Sequence, residues 1–359
     1  MISARRGLLG RLLVLAILLV WPLGTSANPP DQNGNHNHGG GGAGGGGGGD
    51  PLTGSIYFRI PGGDPPVYTM DPDGANKTAL HPNVLGQFVA WDVSRNLHGD
   101  QRWFLTMSQI DGVLELFAAA EDGTEVHLDL GAEIVLVNGG IGAVHWGIDD
   151  AEISIIAMRV DETGSPIEGG VYVADIFFDG DEIVTGIGSP SLLVEEALVV
   201  VDEDIEPDLR GHDWSPDGLN IVYNTQAGDL MIADLMSGTA SFIPTTEAAG
   251  KPHWSPDGSR ILFRGSGGFY GKIYTIAPDG SGEDLVAKGH GGGKAVFVIS
   301  PRWSNTGTHI LYDKAGSVAQ DKRRDIYRAT VGGSNAVNLT SDWDTRQLSG
   351  NPVTAMGWR

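Results

Sequence analysis

The sequence predicts an all-β chain in which six four-stranded antiparallel blades close into a β-propeller. Three observations predict it. A Trp-Ser-Pro-Asp-Gly segment recurs with a β-rich trio behind it, leading tryptophans stand at 91, 146, 214, 254 and 303, and the last tryptophan, Trp358, completes a unit that the N-terminus leaves open.

The clearest copies of the segment are Trp214-Ser215-Pro216-Asp217-Gly218 and Trp254-Ser255-Pro256-Asp257-Gly258, with a degraded third at Trp303-Ser304-Asn305-Thr306-Gly307. Ser, Pro, Asp and Gly suit the four positions of a type I turn, Pro presetting φ and Gly closing the turn. Behind each turn come Ile221-Val222-Tyr223, Ile261-Leu262-Phe263 and Ile310-Leu311-Tyr312, trios that fit a pleated, half-buried strand. A third strand is predicted over 229–234, 272–276 and 325–329, and a short fourth such as Ala336–Thr340. Weaker copies lead from Trp91 through Arg102–Leu105 and Leu114–Ala119, and from Trp146 through Ile153–Ile156 and Val171–Ala174.

The ends supply the sixth blade. Ile56–Phe58 reads as a second strand, Val67–Met70 as a third and Lys77–Leu80 as a fourth, so a first strand is missing. Val353–Trp358 has the character of that first strand and is expected to close the ring, removing an edge that would otherwise invite aggregation. Residues 51–359 then give about 51 residues per blade. The excess over a short-bladed ring is assigned to loops at Gly180–Gly211 and Gly289–Ser300.

The repeated turn, the Ile/aromatic strand and the Ile-Tyr strand ending in Asp-Gly together resemble the TolB-type propeller repeat of exported bacterial, WD-repeat-like rings. Two units match closely, one well and three mainly by spacing, and the resemblance spans 51–359. It implies the fold more than the function, because the repeated residues are structural. TolB carries an α/β domain ahead of its propeller, where this chain has a glycine-rich stretch.

The first 27 residues read as a signal peptide. Arg5, Arg6 and Arg11 precede a 12-residue apolar run, Leu12–Leu23, and Thr25-Ser26-Ala27 offers a cleavage site. Twelve residues fall short of the ~20 that span a bilayer as a helix. Residues 28–50, rich in Gly, Asn, Pro and His, read as a disordered tether, with His36 and His38 as solvated spacer. A periplasmic or secreted location follows. Loss of the three signal arginines moves the formal charge from −22 to −25, which disfavours nucleic acid and anionic membrane surfaces as partners. The absence of cysteine removes disulfides, thiolate zinc sites and thiol nucleophiles.

No Gly-x-Ser-x-Gly elbow, His-Glu-x-x-His helix or phosphate-binding Gly-x-x-x-x-Gly-Lys-Ser/Thr loop occurs. Asp217 and Asp257 are explained by their turns, and the recurrent tryptophans by the core. The residues just before each Trp are Ala90, His145, Asp213, His253, Arg302 and Gly357, with His212 a step behind, and they should face the central channel. His145, His253, Asp213 and Arg302 are thus the candidates for a divalent-cation or polar-ligand site, although His212 and Asp213, as neighbours on a strand, should point apart. The acidic run Asp202–Asp208 is expected as a solvated inter-blade loop, and Lys322-Arg323-Arg324 as a hairpin loop. The expected function is a monomeric, non-catalytic propeller that needs no cofactor and binds another envelope or extracellular protein through one ring face. The alternative is a metal-dependent lyase or lactonase with its site at the channel mouth.

Overall fold

The computed structural model describes residues 52–59, 67–80, 89–111, 113–137, 143–201, 204–207, 210–266, 271–289, 296–316, 324–342 and 354–359. The stretches read as signal peptide and tether, with His36 and His38, lie outside them, as do Asp202, Glu203, Asp208, Lys322 and Arg323. Among the described residues there is no helix, and the strands form six blades of a β-propeller.

Blade I holds β1 (Ile56–Arg59), β2 (Val67–Met70) and β3 (Thr78–Leu80). Blade II is β4 (Val89–Val93), β5 (Trp103–Ile110), β6 (Val113–Ala120) and β7 (Glu125–Leu128). Blade III carries six strands: β8 (Ile134–Leu136), β9 (Val144–Trp146), β10 (Glu152–Val160), β11 (Pro166–Phe178), β12 (Val184–Ile187) and β13 (Ser191–Glu196). A separate ribbon, β14 (Leu198–Val201) with β15 (Asp204–Pro207), follows it. Blade IV is β16 (Gly211–Trp214), β17 (Asn220–Asn224), β18 (Leu230–Asp234) and β19 (Thr239–Ile243). Blade V is β20 (Ala249–Trp254), β21 (Ile261–Gly265), β22 (Lys272–Ile276) and β23 (Asp284–Lys288). Blade VI is β24 (Val296–Trp303), β25 (His309–Gly316), β26 (Arg324–Thr330) and β27 (Val337–Asn338). The last strand, β28 (Thr354–Trp358), pairs antiparallel with β1, Ile56 opposite Trp358, and closes the ring as the sequence predicts.

The turns form for the expected reason. Gly218 N–H donates to Ser215 O (2.9 Å), and Asp217 Oδ1 accepts from Leu219 N–H and the Ser215 hydroxyl. The same Ser215 hydroxyl accepts from Asn220 N–H (2.9 Å), tying the turn to β17. Gly218 has φ +70°, where a side chain would be strained. Behind each turn the leading isoleucine of the second strand, Ile56, Ile153, Ile221, Ile261 or Ile310, is fully buried between blades. Each such side chain contributes roughly 2 kcal/mol of burial, and together they form the inter-blade core with Trp146, Trp214, Trp254, Trp303 and Trp358. The end of the ring carrying these turns is the turn face; the other, where β5 meets β6 and β10 meets β11, is the hairpin face.

Three expectations are corrected. First, 180–211 is not a plain loop: β12, β13, β14 and β15 lie within it, and β11 is long enough to pair with β13 along one stretch and β12 along the next. Second, the acidic run contains a strand, Asp204–Pro207 pairing with Leu198–Val201, and Arg324 opens β26. Third, Trp91 does not hold the place of the other tryptophans. It sits at a register shift between Ala90 and Asp92, and Val93, fully buried opposite Phe104, takes the slot that Trp214 fills opposite Ile221.

Candidate functional site

That two-residue correction defines the channel ring. Ser94 accepts from Trp103 N–H (3.1 Å) as Ser215 does from Asn220 N–H, so Asp92-Val93-Ser94 is the structural match of Asp213-Trp214-Ser215. The residue before the Trp slot is therefore Gly357 in blade I, Asp92 in II, His145 in III, Asp213 in IV, His253 in V and Arg302 in VI. All four sequence candidates lie at this level and are buried, with His145 4% and His253 6% exposed. Ala90 is replaced by Asp92, 5% exposed.

The strands bring these side chains together because each inner strand runs along the axis and offers alternate residues to it. The His145 and His253 rings meet edge to face with centroids 5.8 Å apart, and His145 meets His212 at 5.0 Å. Alternation holds within β16 as expected. His212 Nε2 and Trp214 Nε1 both reach the Ser154 hydroxyl of blade III (2.7 and 2.9 Å), while Asp213 turns to blade V.

Every blade junction is clasped near the axis. Arg359 donates to Val93 O and pairs with Asp92 (3.3 Å), joining I to II. Asp92 accepts from Trp146 N–H (3.0 Å) and faces His145 Nδ1 (3.4 Å), joining II to III. Ser154 joins III to IV. Asp213 accepts from Trp254 N–H (2.9 Å) and faces His253 Nδ1 (3.6 Å), joining IV to V. Arg302 donates to His253 Nε2, and Trp303 Nε1 donates to His253 O, joining V to VI. Arg302 Nε donates to Met356 O (3.1 Å), and Asp313 accepts from Ala355 N–H (3.2 Å), joining VI to I.

The electrostatics follow from these bonds. Burial alone would raise the Asp213 carboxyl, but His253, His145 and Arg95 beside it hold it below the usual carboxylate range. Its two oxygens also accept from Trp214 N–H and Trp254 N–H, bonds that favour the ionised form. Asp92 is lowered in the same way, burial being outweighed by His145, Arg359 and Arg95. Burial, followed by the charge of Arg302, pushes His253 down to about 3.

This donor set does not fit a divalent cation. Both His253 nitrogens are committed, one to Arg302 and one to Asp213, and a buried guanidinium stands beside them. Among the described residues, no three His, Asp or Glu side chains are placed to hold an ion. His145 Nε2 is buried without a hydrogen-bond partner among the described residues. Sequence reasoning missed Asp92, Arg95 and Arg359. The Asp-x-Ser spacing shared by Asp92-Val93-Ser94 and Asp213-Trp214-Ser215 could have found the first.

No protein-family model matches the chain, and no curated protein does. Among solved structures it is similar to one assigned as TolB from Agrobacterium tumefaciens, at 19% identity and TM-score 0.52, over 79% of this chain and 87% of that one. It is also similar to TolB from Acinetobacter baumannii, at 14% identity and TM-score 0.56, over 85% of this chain and 67% of that one. The class the geometry defines is the six-bladed β-propeller. Within that class its fold is of the TolB type.

Proposed function

We propose that this chain is an exported, non-catalytic propeller, periplasmic or secreted, that presents one ring face to an envelope or extracellular protein. One observation carries the reading: all but one of the channel residues that could do chemistry spend their polar groups clasping neighbouring blades, His145 keeping Nε2 without a hydrogen-bond partner among the described residues. Asp92, Asp213, His253 and Arg302 each bond or pair across a junction, so none is placed to move a proton or attack a substrate. Both faces also expose apolar side chains suited to contact. Leu219 (47%) and Met236 (81%) lie on the turn face, and Ile110 (40%) and Val113 (60%) on the hairpin face.

The test immobilises the mature chain, passes envelope extract over it and compares two double variants. Leu219→Lys with Met236→Lys alters the turn face; Ile110→Lys with Val113→Lys alters the hairpin face. A partner lost from one variant and kept by the other supports the reading. Metal-dependent release of an unsaturated sugar, or of an opened lactone, by the purified chain would replace it with the lyase or lactonase alternative.

A further inference from the structure

Toward the hairpin face, three residues beyond each buried isoleucine or its counterpart, the second strands carry six equivalent positions around the ring. They are Arg59, Met107, Ile156, Asn224, Arg264 and Asp313 in blades I to VI. The ring is apolar over blades II and III and polar elsewhere. Beside its polar arc two inner strands bulge in the same manner, at Lys251-Pro252-His253-Trp254 and Ser300-Pro301-Arg302-Trp303. Lys251 and Ser300 both adopt left-handed backbone, with φ 52° and 51°. Neither is glycine, so each bulge carries strain that its surroundings must hold. Asn224 Oδ1 of blade IV helps by accepting from Lys251 N–H (3.2 Å).

Unsatisfied polar groups accompany the two bulges. The Lys251 ammonium has no hydrogen bond or ion pair among the described residues; Arg302, Arg264 and Arg59 act on it electrostatically, and Asp313 opposes them. Arg264 pairs in register beside it through Gly250, and its Nε is buried without a hydrogen-bond partner among the described residues. The Ser300 hydroxyl, in a residue 1% exposed, is likewise buried without one. Asp313 is already engaged by Ala355 N–H. Three arginine charges therefore bear on Lys251, and the Asp313 carboxylate that offsets them is shared with Arg302, in a protein whose formal charge is −22. Buried polar groups are nearly always satisfied, and gathered like charges are costly unless an opposite charge joins them.

We infer that the Lys251–Arg264–Ser300 corner, with Arg59 beside it, is a binding site for an oxyanion, the carboxylate or phosphoryl group of a ligand entering from the hairpin face. The guanidinium fork and the ammonium supply charge-assisted donors, and the Ser300 hydroxyl a neutral one. Burial, followed by the charges of Arg302 and Arg264, lowers Lys251 to about 7, a shift that a bound anion would reverse. The site stands whether or not the ring face meets a protein.

Isothermal titration of the full mature chain at pH 6.5 and fixed ionic strength tests the inference. Acetate and inorganic phosphate are the probes, chloride serves as control, and circular dichroism checks the fold of each variant. We expect saturable binding of at least one probe, weakened about tenfold or more by Lys251→Gln and by Arg264→Gln. The exposed Lys288→Gln should leave it unchanged. Binding of acetate would assign the site to carboxylates, and binding of phosphate alone to phosphoryl groups. No saturable heat up to ~50 mM of either, a range that covers even weak millimolar sites, would overturn the inference. So would equal binding by wild type, Lys251→Gln and Arg264→Gln.

Discussion

The guanidinium of Arg302 donates to Nε2 of His253, while Nδ1 of the same ring faces Asp213 Oδ2 at 3.6 Å. Arginine has no acceptor, so His253 must present its lone pair at Nε2 and its proton at Nδ1. The ring is thereby locked neutral between a cation and an anion, and one histidine joins blades IV, V and VI.

Acid should therefore loosen the ring before it titrates ordinary carboxylates. His253 sits at about 3 when folded against 6.5 unfolded, so the unfolded chain takes up the proton first. Stability is complete above 6.5 and falls as pH drops from there toward 3, by an amount on the order of 3 kcal/mol at pH 4. Asp92 and Asp213, held low when folded, add a further loss below the ordinary carboxylate value. Melting temperatures measured from pH 8 to pH 4 should decline from about 6.5, the pH at which an ordinary histidine titrates. His253→Gln should flatten the upper part of that decline; an unchanged slope would refute the locked-ring account.

Asp213→Asn should cost about 2–4 kcal/mol, because it removes a buried charge and leaves a backbone donor of Trp214 or Trp254 poorly satisfied. Asp217→Asn, in an exposed turn, should cost under about 1 kcal/mol. Denaturant titration of the pair separates the clasp from the turn.

The turn motif was legible because Ser, Pro, Asp and Gly each do one local job, and the strands behind it are equally local. Blade III was not, since the length of the β10–β11 hairpin depends on partners β12 and β13 supplied from farther along the chain. In blade II the side chain of Trp91 drew the alignment two residues away from Asp92, whose role depends on Trp146 in the next blade. The four candidate channel residues stand in the ring that the spacing assigned them to, but the bonds each one makes were not legible. Whether a histidine nitrogen is free or taken by Arg302 is decided by a neighbouring blade. The left-handed backbone at Lys251 and Ser300 has no signature beyond a following proline.

Closure by β28 predicts that Trp358→Ala will act on the whole ring and not on one blade. Trp358 is 1% exposed, packs with Ile56 and Phe58, and donates from Nε1 to Thr53 O (2.7 Å). Truncating it should cost about 3–5 kcal/mol. The variant should unfold in one earlier transition, followed by fluorescence and circular dichroism together. A separate early transition, with the rest unfolding as in wild type, would mean that the seam does not hold the ring.

Lys251→Met should stabilise the ligand-free protein, the reverse of most substitutions at a polar site. The lysine is near 7 when folded against 10.5 unfolded, so holding its proton penalises only the folded state. That penalty is complete below pH 7 and fades as pH rises from 7 toward 10.5. Partial exposure of the side chain reduces the gain expected from methionine at pH 6 to about 1–3 kcal/mol. The gain should shrink by pH 9, and a saturating oxyanion at pH 6 should shrink it too, by stabilising the wild type alone. Melting curves of both proteins at pH 6 and pH 9, with and without phosphate, resolve these effects. If methionine destabilises equally at both pH values, Lys251 is held by its stem and backbone, and its charge carries no penalty.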